Sequence, residues 1–415
     1  MRAEFASRLL PLALLAATPV FATDGYFSIG YGLKQVAQGG AGVALPQDAL
    51  AAATNPAGIV FVGDRFDLGV TLFRPIRDGS ITGSGAPGVN GHYDANRKKN
   101  FFVPELGYNH LLNPKLAVGV AMYGNGGMDT AYTTPIPLLG SRLAGVDLVQ
   151  LFAAPTLAFK ANAHNAFGVS LNIGYQRFSA SGLQNFSNAQ FSSAPNSVTD
   201  LYGSGAFGGG VRVGWLGTVN KTVSLGATYQ SRTWMQKFDK YRGLFAGQGG
   251  FDIPANFAGG VALNVTRTVT VLFDAERIQY GWVKSIANPD FPIQAPLGTG
   301  NGPGFGWHDI TAEKTGFDFK LSPKLTLRAG YNHSGLPFNP SQTFFNLLAP
   351  AVVQHHLTAG LTWGLGDGKE INIAYQHAFA ETVHGANSIP ANFGGGEANL
   401  SMYQNTIGFG FGWGK

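Results

Sequence analysis

Phe167-Gly168-Val169-Ser170-Leu171-Asn172-Ile173-Gly174-Tyr175-Gln176 decides how this chain is read, because every odd position is large and apolar and every even one small or polar. Leu325-Thr326-Leu327-Arg328-Ala329-Gly330-Tyr331-Asn332 has the same pattern. A period of two puts alternate side chains on opposite faces of a strand. Fourteen such segments follow one another, at 64–75, 101–109, 116–124, 148–160, 166–178, 205–216, 223–231, 256–265, 269–282, 314–321, 325–332, 356–363, 369–377 and 403–413. Their connections alternate in length. Those after odd-numbered segments exceed twenty residues, as at 76–100 and 283–313; those after even-numbered segments have six or fewer, as at 110–115 and 266–268. A soluble sandwich has no reason to sort its connections by end. A bilayer-spanning barrel does, with short periplasmic turns, long outer loops and an even strand number. The expected fold is all-β: a 14-stranded antiparallel transmembrane β-barrel over 64–415.

Composition and the N-terminus agree with that expectation. Arg2 and Arg8, the apolar run Leu9–Phe21 and Val20-Phe21-Ala22 make a secretory signal over 1–22. The run is shorter than the roughly 20 residues a membrane helix needs. The chain has 59 glycines and only 12% charged residues, where a soluble domain carries about a quarter. It has no cysteine, which removes disulfides and thiolate metal sites. A net charge of +5 over 415 residues gives nucleic acid no support as a partner. The basic run Arg97-Lys98-Lys99 reads as a solvated loop, with lipopolysaccharide phosphates as its alternative contact. The expected location is the outer membrane of a Gram-negative bacterium, crossed many times by a monomer.

Residues 23–63 break the period. The stretch Leu45–Ala53 has helix-forming composition with a proline in its first turn, and Asn55-Pro56 stops it, since a residue before proline leaves the helical region. About forty such residues before a wide barrel fit either a periplasmic appendage or a plug in the lumen. Here Gly39-Gly40-Ala41-Gly42-Val43-Ala44-Leu45-Pro46-Gln47-Asp48-Ala49 and Ala53-Thr54-Asn55-Pro56-Ala57-Gly58 resemble the N-terminal hatch of the FadL family of long-chain fatty acid transporters. Asn55-Pro56-Ala57 is similar to the family's Asn-Pro-Ala. The resemblance continues at Val103–Tyr108, Lys115–Gly119, Trp307-His308-Asp309 and Leu327–Tyr331. It implies a hatch over 23–63 and passive import of hydrophobic molecules. Long-chain fatty acids come first and aromatic or alkane hydrocarbons are the alternative. Ligand would be captured on an outer groove, held in a lumen pocket and released sideways through an inward kink in the third strand. No cofactor is implied. Expected partners are the hydrophobic ligand, outer-membrane lipid and lipopolysaccharide.

Candidate residues follow. Strand three ends Met122-Tyr123-Gly124-Asn125-Gly126-Gly127-Met128, where three glycines in four positions permit a bend; an ordinary turn is the plain alternative. Trp234, Phe238, Tyr241 and Phe245, spaced four, three and four apart, would line one face of a helix. That face offers either a landing groove or packing against a neighbouring loop. Strand phase turns Arg212, Lys320 and Arg328 inward, either as partners for a ligand carboxylate or as partners of acids such as Asp274, Glu276 and Asp318. Arg177 is similar to a basic residue near the family's pocket, but its phase aims it at lipid. The resemblance also implies that Tyr26 and Phe27 reach the pocket. Two other classes fit the sequence less well. An enzyme lacks support because no Gly-x-Ser-x-Gly elbow is present. A general porin predicts a charge-lined pore, at odds with the low charge content and the hatch.

Overall fold

The computed structural model describes residues 24–414; the signal expected over 1–22 lies outside them. Fourteen long strands form one antiparallel meander: β1 Arg65–Thr82, β2 Phe101–Asn113, β3 Leu116–Ala131, β4 Gly145–Lys160, β5 Asn165–Ser181, β6 Ser204–Thr218, β7 Val223–Gln230, β8 Asn256–Asn264, β9 Val269–Ile278, β10 Ile310–Ser322, β11 Leu325–Ser334, β12 His355–Gly366, β13 Lys369–Val383 and β14 Glu397–Gly414. Each pairs with the next, and β14 pairs with β1 from Arg65↔Gly414 to Thr82↔Glu397, closing the ring. Closure at this seam removes the edges that the first and last strands would otherwise present to lipid.

The side chains are inside out relative to a soluble protein. Leu171, Ile173, Val211, Val213 and Phe409 stand exposed on the outer wall, while Asn172, Gln176, Arg212, Asp274, Asp318 and Arg328 are buried inside. Strands run several residues beyond the period-two segments on the long-loop side; β1 reaches Thr82 and β14 begins at Glu397. There the ladder persists above the bilayer, where outward positions no longer need to be apolar. One segment was overread: β9 stops at Ile278, and Tyr280–Trp282 turn as a 3₁₀ helix.

Residues 24–63 sit against the inner faces of strands all round the ring. Leu33 N–H donates to Glu105 on β2, Ala49 N–H to Asp67 on β1, and Gly42 and Val43 N–H to Asp274 on β9. Gly39 N–H reaches Thr358 on β12, and Lys34 pairs with Glu370 on β13 at 2.5 Å. The helix expected over 45–53 is corrected to a single turn, Ala51–Thr54, with another at Leu33–Val36. Asp48 takes the Leu50 N–H in a local turn that competes with helix. Asn55 is extended (φ −138°, ψ 103°), and Pro56–Phe61 follow as a 3₁₀ helix.

Candidate functional site

Three features connect the outer loops to the wall. The first is a cavity of about 40 Å³ beneath the loops. Leu139, Leu183, Phe245, Phe305 and Leu348 reach it from five different long loops, and Phe178 at the top of β5 completes it. No charged side chain lines it.

The residues expected as a landing helix lie on either side of this roof. Trp234 and Met235 form a two-residue strand that extends the β6 ladder at Gly209 and Gly208. Only Asp239–Tyr241 are helical, as one 3₁₀ turn. The spacing misled because Trp234 belongs to the sheet: it is 62% exposed on the outer wall. Phe238, Tyr241 and Phe245 are buried instead, 5.6, 4.8 and 4.6 Å from the Phe178 ring. Tyr241 Oη, which donates to the Leu201 carbonyl and accepts from Ala180 N–H, holds that group to the strand top. A neighbouring lid joins two loops: Phe345 N–H donates to the buried Asp290 carboxylate, and Asp290 N–H donates to Gln342. Burial pushes the Asp290 carboxyl up to about 7.

The second feature is an aromatic column below that roof. Tyr26 meets Phe27, Tyr280 and Trp307 at 5.2, 5.2 and 5.9 Å between ring centres. Tyr280 Oη accepts from the N–H groups of Tyr26 and Phe27 and donates to the Asp24 carbonyl, clamping this end of the hatch. Trp307 is fixed by Asn346 at 2.7 Å.

The third feature is a break in the wall. β2 and β3 pair only from Asn113↔Leu116 to Leu106↔Met122. Above that, Phe101–Glu105 keep their β1 partners but have no ladder to β3. β3 stays with β4, with a register shift between Gly124 and Gly126. Its freed edge bonds to the hatch: Ser28 N–H donates to the Asn125 carbonyl, and Gly127 N–H to the Tyr26 carbonyl. A side chain at Gly126 would overlap the Tyr26 carbonyl, so glycine permits the approach. Asn125 turns inward and bonds Gln150 and Tyr31. A cavity of about 210 Å³ opens at the break, running from Tyr123, Phe152 and Gly174 out to Leu106, Ile173, Tyr175 and Phe207. Glu105 is the sole ionisable acid or base among its lining residues apart from tyrosines.

Asn55-Pro56-Ala57 lies on the opposite part of the hatch, pressed on β5 and β6. Asn55 Nδ2 donates to the carbonyls of Val43 and Trp215, and Oδ1 accepts from Ala57 N–H. The cross-strand pair Gly168↔Gly214 provides the flat floor, since a Cβ on either would overlap the triad.

The lumen cations face inward as their phase requires, and the two deeper ones are engaged. Arg212 bonds the Thr54 carbonyl at 3.0 Å and Gln230 at 2.5 Å. Arg328 pairs with Asp318 at 3.2 Å and bonds Gln47 and Thr362. Lys320 sits exposed by the short turn below β10. Arg177 is on the outer wall, not in the lumen. A further buried cation, Lys314, holds Glu276 at 2.6 Å, Asp24 at 3.4 Å and the Ile29 carbonyl. It shares the phase of Lys320, six residues on, which is the signal that would have found it.

A closed fourteen-stranded ring with an inner N-terminal segment, an apolar roof cavity and a broken wall defines an outer-membrane transporter of hydrophobic compounds. The family model for outer membrane protein transport protein (OMPP1/FadL/TodX) matches residues 27–411. The chain belongs to that family, one of transport channels. Its fold is similar to that of the Pseudomonas putida toluene transporter TodX, with a TM-score of 0.70, 19% identity, and 93% of this chain and 99% of that one covered. A Pseudomonas aeruginosa FadL homologue gives 0.69, 14%, 94% and 99%. The Ralstonia pickettii toluene transporter TbuX gives 0.64, 16%, 92% and 98%. A comparison with curated proteins found no match.

Proposed function

We propose that this barrel passes small uncharged hydrophobic molecules, hydrocarbons above all, from the outer loops to the wall break between β2 and β3. The ligand enters under the apolar roof, displaces Tyr26–Ser28 from the β3 edge, and leaves sideways beside Met122 and Tyr123. The hatch, anchored at Asn55-Pro56-Ala57, rearranges locally and stays inside the ring.

The observation that carries this reading is the 210 Å³ cavity through the broken ladder. An apolar cavity of about 150 Å³ suffices for benzene, so the wall cavity admits a monoaromatic ring as it stands. The roof cavity, at about 40 Å³, does not, and loading requires the loops to part. The reading prefers an uncharged ligand because a carboxylate leaving water needs a free cation. Arg212, Lys314 and Arg328 already serve the hatch and buried acids. No lysine, arginine or histidine lines the wall cavity to meet a carboxylate. Several fold relatives are described as toluene transporters or monoaromatic hydrocarbon channels, in keeping with this preference.

The test is uptake of labelled toluene and labelled oleate, side by side, in outer-membrane-intact cells with and without the protein. Protein-dependent toluene entry without oleate entry is expected. Oleate entry at the higher rate would replace this reading with fatty acid import.

A further inference from the structure

The outward face of β5 reads, from the short-turn end, Phe167, Val169, Leu171, Ile173, Tyr175 and then Arg177. Ten residues at about 3.3 Å each, on a strand tilted about 40°, raise Arg177 about 25 Å above Phe167. That is the height of the apolar band of such barrels. Arg177 therefore stands where outer-leaflet hydrocarbon gives way to headgroups. Its side chain is 42% exposed, and its nearest acid, Asp147, lies 3.8 Å away. Asp147 is itself taken by Lys98 at 2.5 Å, so the arginine's charge is only weakly met.

A second cation joins it from a distant part of the chain. Lys240, exposed on the loop after β7, bonds the Gly203 carbonyl at 3.2 Å. The stem of Arg177 packs on the same glycine, where a Cβ would stand 3.2 Å from Arg177 Cδ. Tyr202, next in sequence, is 90% exposed. Directly below the cations the Tyr175 and Phe207 rings pack at 5.0 Å, and Trp234 stands beside them opposite Gly209. Cations above an aromatic ledge at the bilayer rim suit one kind of partner, a lipid with anionic phosphates and long acyl chains. Guanidinium and ammonium groups bind phosphate oxygens through charge-assisted bonds, and aromatic girdles take the interfacial region.

We infer that Arg177 and Lys240 bind a phosphate of the phosphorylated glycolipid of the outer leaflet, the lipid A moiety of lipopolysaccharide. Its acyl chains then lie along Tyr175, Phe207 and Trp234. Tyr175 and Phe207 also line the wall cavity, so the bound lipid borders the outer mouth of the β2–β3 break. The site depends on membrane placement alone and stands whichever ligand the lumen carries.

The purified barrel titrated with bisphosphorylated lipid A, followed by native mass spectrometry, tests this. Wild type should form a saturable one-to-one adduct. Each cation at an anionic lipid surface is worth roughly fivefold in affinity, so R177Q/K240Q should bind about 25-fold more weakly, and K221Q, at a periplasmic turn, should bind like wild type. Wild type should lose affinity similarly for dephosphorylated lipid A. Inorganic phosphate should not compete, which separates a lipid headgroup from a free-anion site. Heat-modifiable migration checks that each variant is folded. Equal affinity of R177Q/K240Q and wild type, or equal affinity for dephosphorylated lipid, would overturn the assignment. Competition by millimolar inorganic phosphate would reduce it to a general anion site.

Discussion

Filling the wall cavity should stop passage without disturbing the ring. Ala153 lines that cavity on the outward phase of β4, paired with Met122 and Ile173. An Ala153→Trp side chain adds an indole, slightly larger than the benzene that an apolar cavity of about 150 Å³ holds. About 60 Å³ of the 210 Å³ would remain, less than half of what a monoaromatic ligand takes. A ligand must then push the indole aside, at the roughly 1–3 kcal/mol typical of overpacking. At 1.36 kcal/mol per tenfold in rate, uptake should slow by about 5- to 150-fold. Initial rates of labelled toluene entry, normalised to folded barrel in the outer membrane, give the measurement. Ala153→Ser leaves the volume nearly unchanged and should import like wild type. Native-rate entry through folded A153W would show that ligand leaves elsewhere, and the lateral path would be abandoned.

Other consequences are open to measurement. Gly214→Val should lift Asn55-Pro56-Ala57 off β6, costing about 0.5–1.5 kcal/mol for each lost hydrogen bond plus the overpacking term. Cells carrying G214V should become sensitive to bulky hydrophilic antibiotics; unchanged sensitivity would mean the triad does not fix the hatch. Arg77 is buried against Asp129 at 3.0 Å, on the part of β3 that has no ladder to β2. Arg77→Met should destabilise the barrel, by less than the roughly 3–5 kcal/mol of a fully stranded buried charge because Asp129 keeps Lys98 at 3.4 Å, and an unshifted denaturant midpoint would exclude that. Asp290, with its carboxyl pushed up to about 7, holds its proton in the folded lid where a free carboxyl, near 4, has lost it. The folded lid binds more protons across that window, so its stability falls as pH rises from about 4 to 7. Loop proteolysis should therefore be slower at pH 5 than at pH 8, and Asp290→Asn should remove the difference; a native pH dependence in D290N would assign the effect to another group.

The ring was legible because a barrel writes one rule along its whole length. Leu171 and Ile173 face lipid, Asn172 and Gln176 face the interior, and turn length marks the side of the membrane. What the period could not carry is where the rule is suspended. Residues such as Asp78 and Glu397 extend the ladder above the bilayer, where outward polarity is free to vary. Trp234 and Phe238 share a helical spacing by coincidence, one serving the sheet and the other the loop core. The glycine-rich end of β3 was readable as a weak point, but its partner was not: Tyr26 and Ser28 are joined to Gly127 and Asn125 by backbone bonds that no side-chain pattern records. Likewise the inward phase of Arg212 and Arg328 was visible, whereas their capture by Thr54, Gln47 and Asp318 depends on how the hatch folds.

The seam between β1 and β14 governs how the ring is assembled. Among the fourteen long strands every other pairing joins neighbours in sequence, while this one joins the first to the last. Pairings so remote form last, because the whole loop between them must first be ordered. The hatch leads straight into β1, so it is tethered beside the seam when the seam zips. It then works as a mandrel: Gly168, Gly214 and Gly126 are shaped to receive it, and Asp274, Glu370 and Asp67 grip it at separate points round the circle. Removing it would leave the sheet without a gauge for its curvature, and the rate at which heat-modifiable barrel appears during refolding should register that loss.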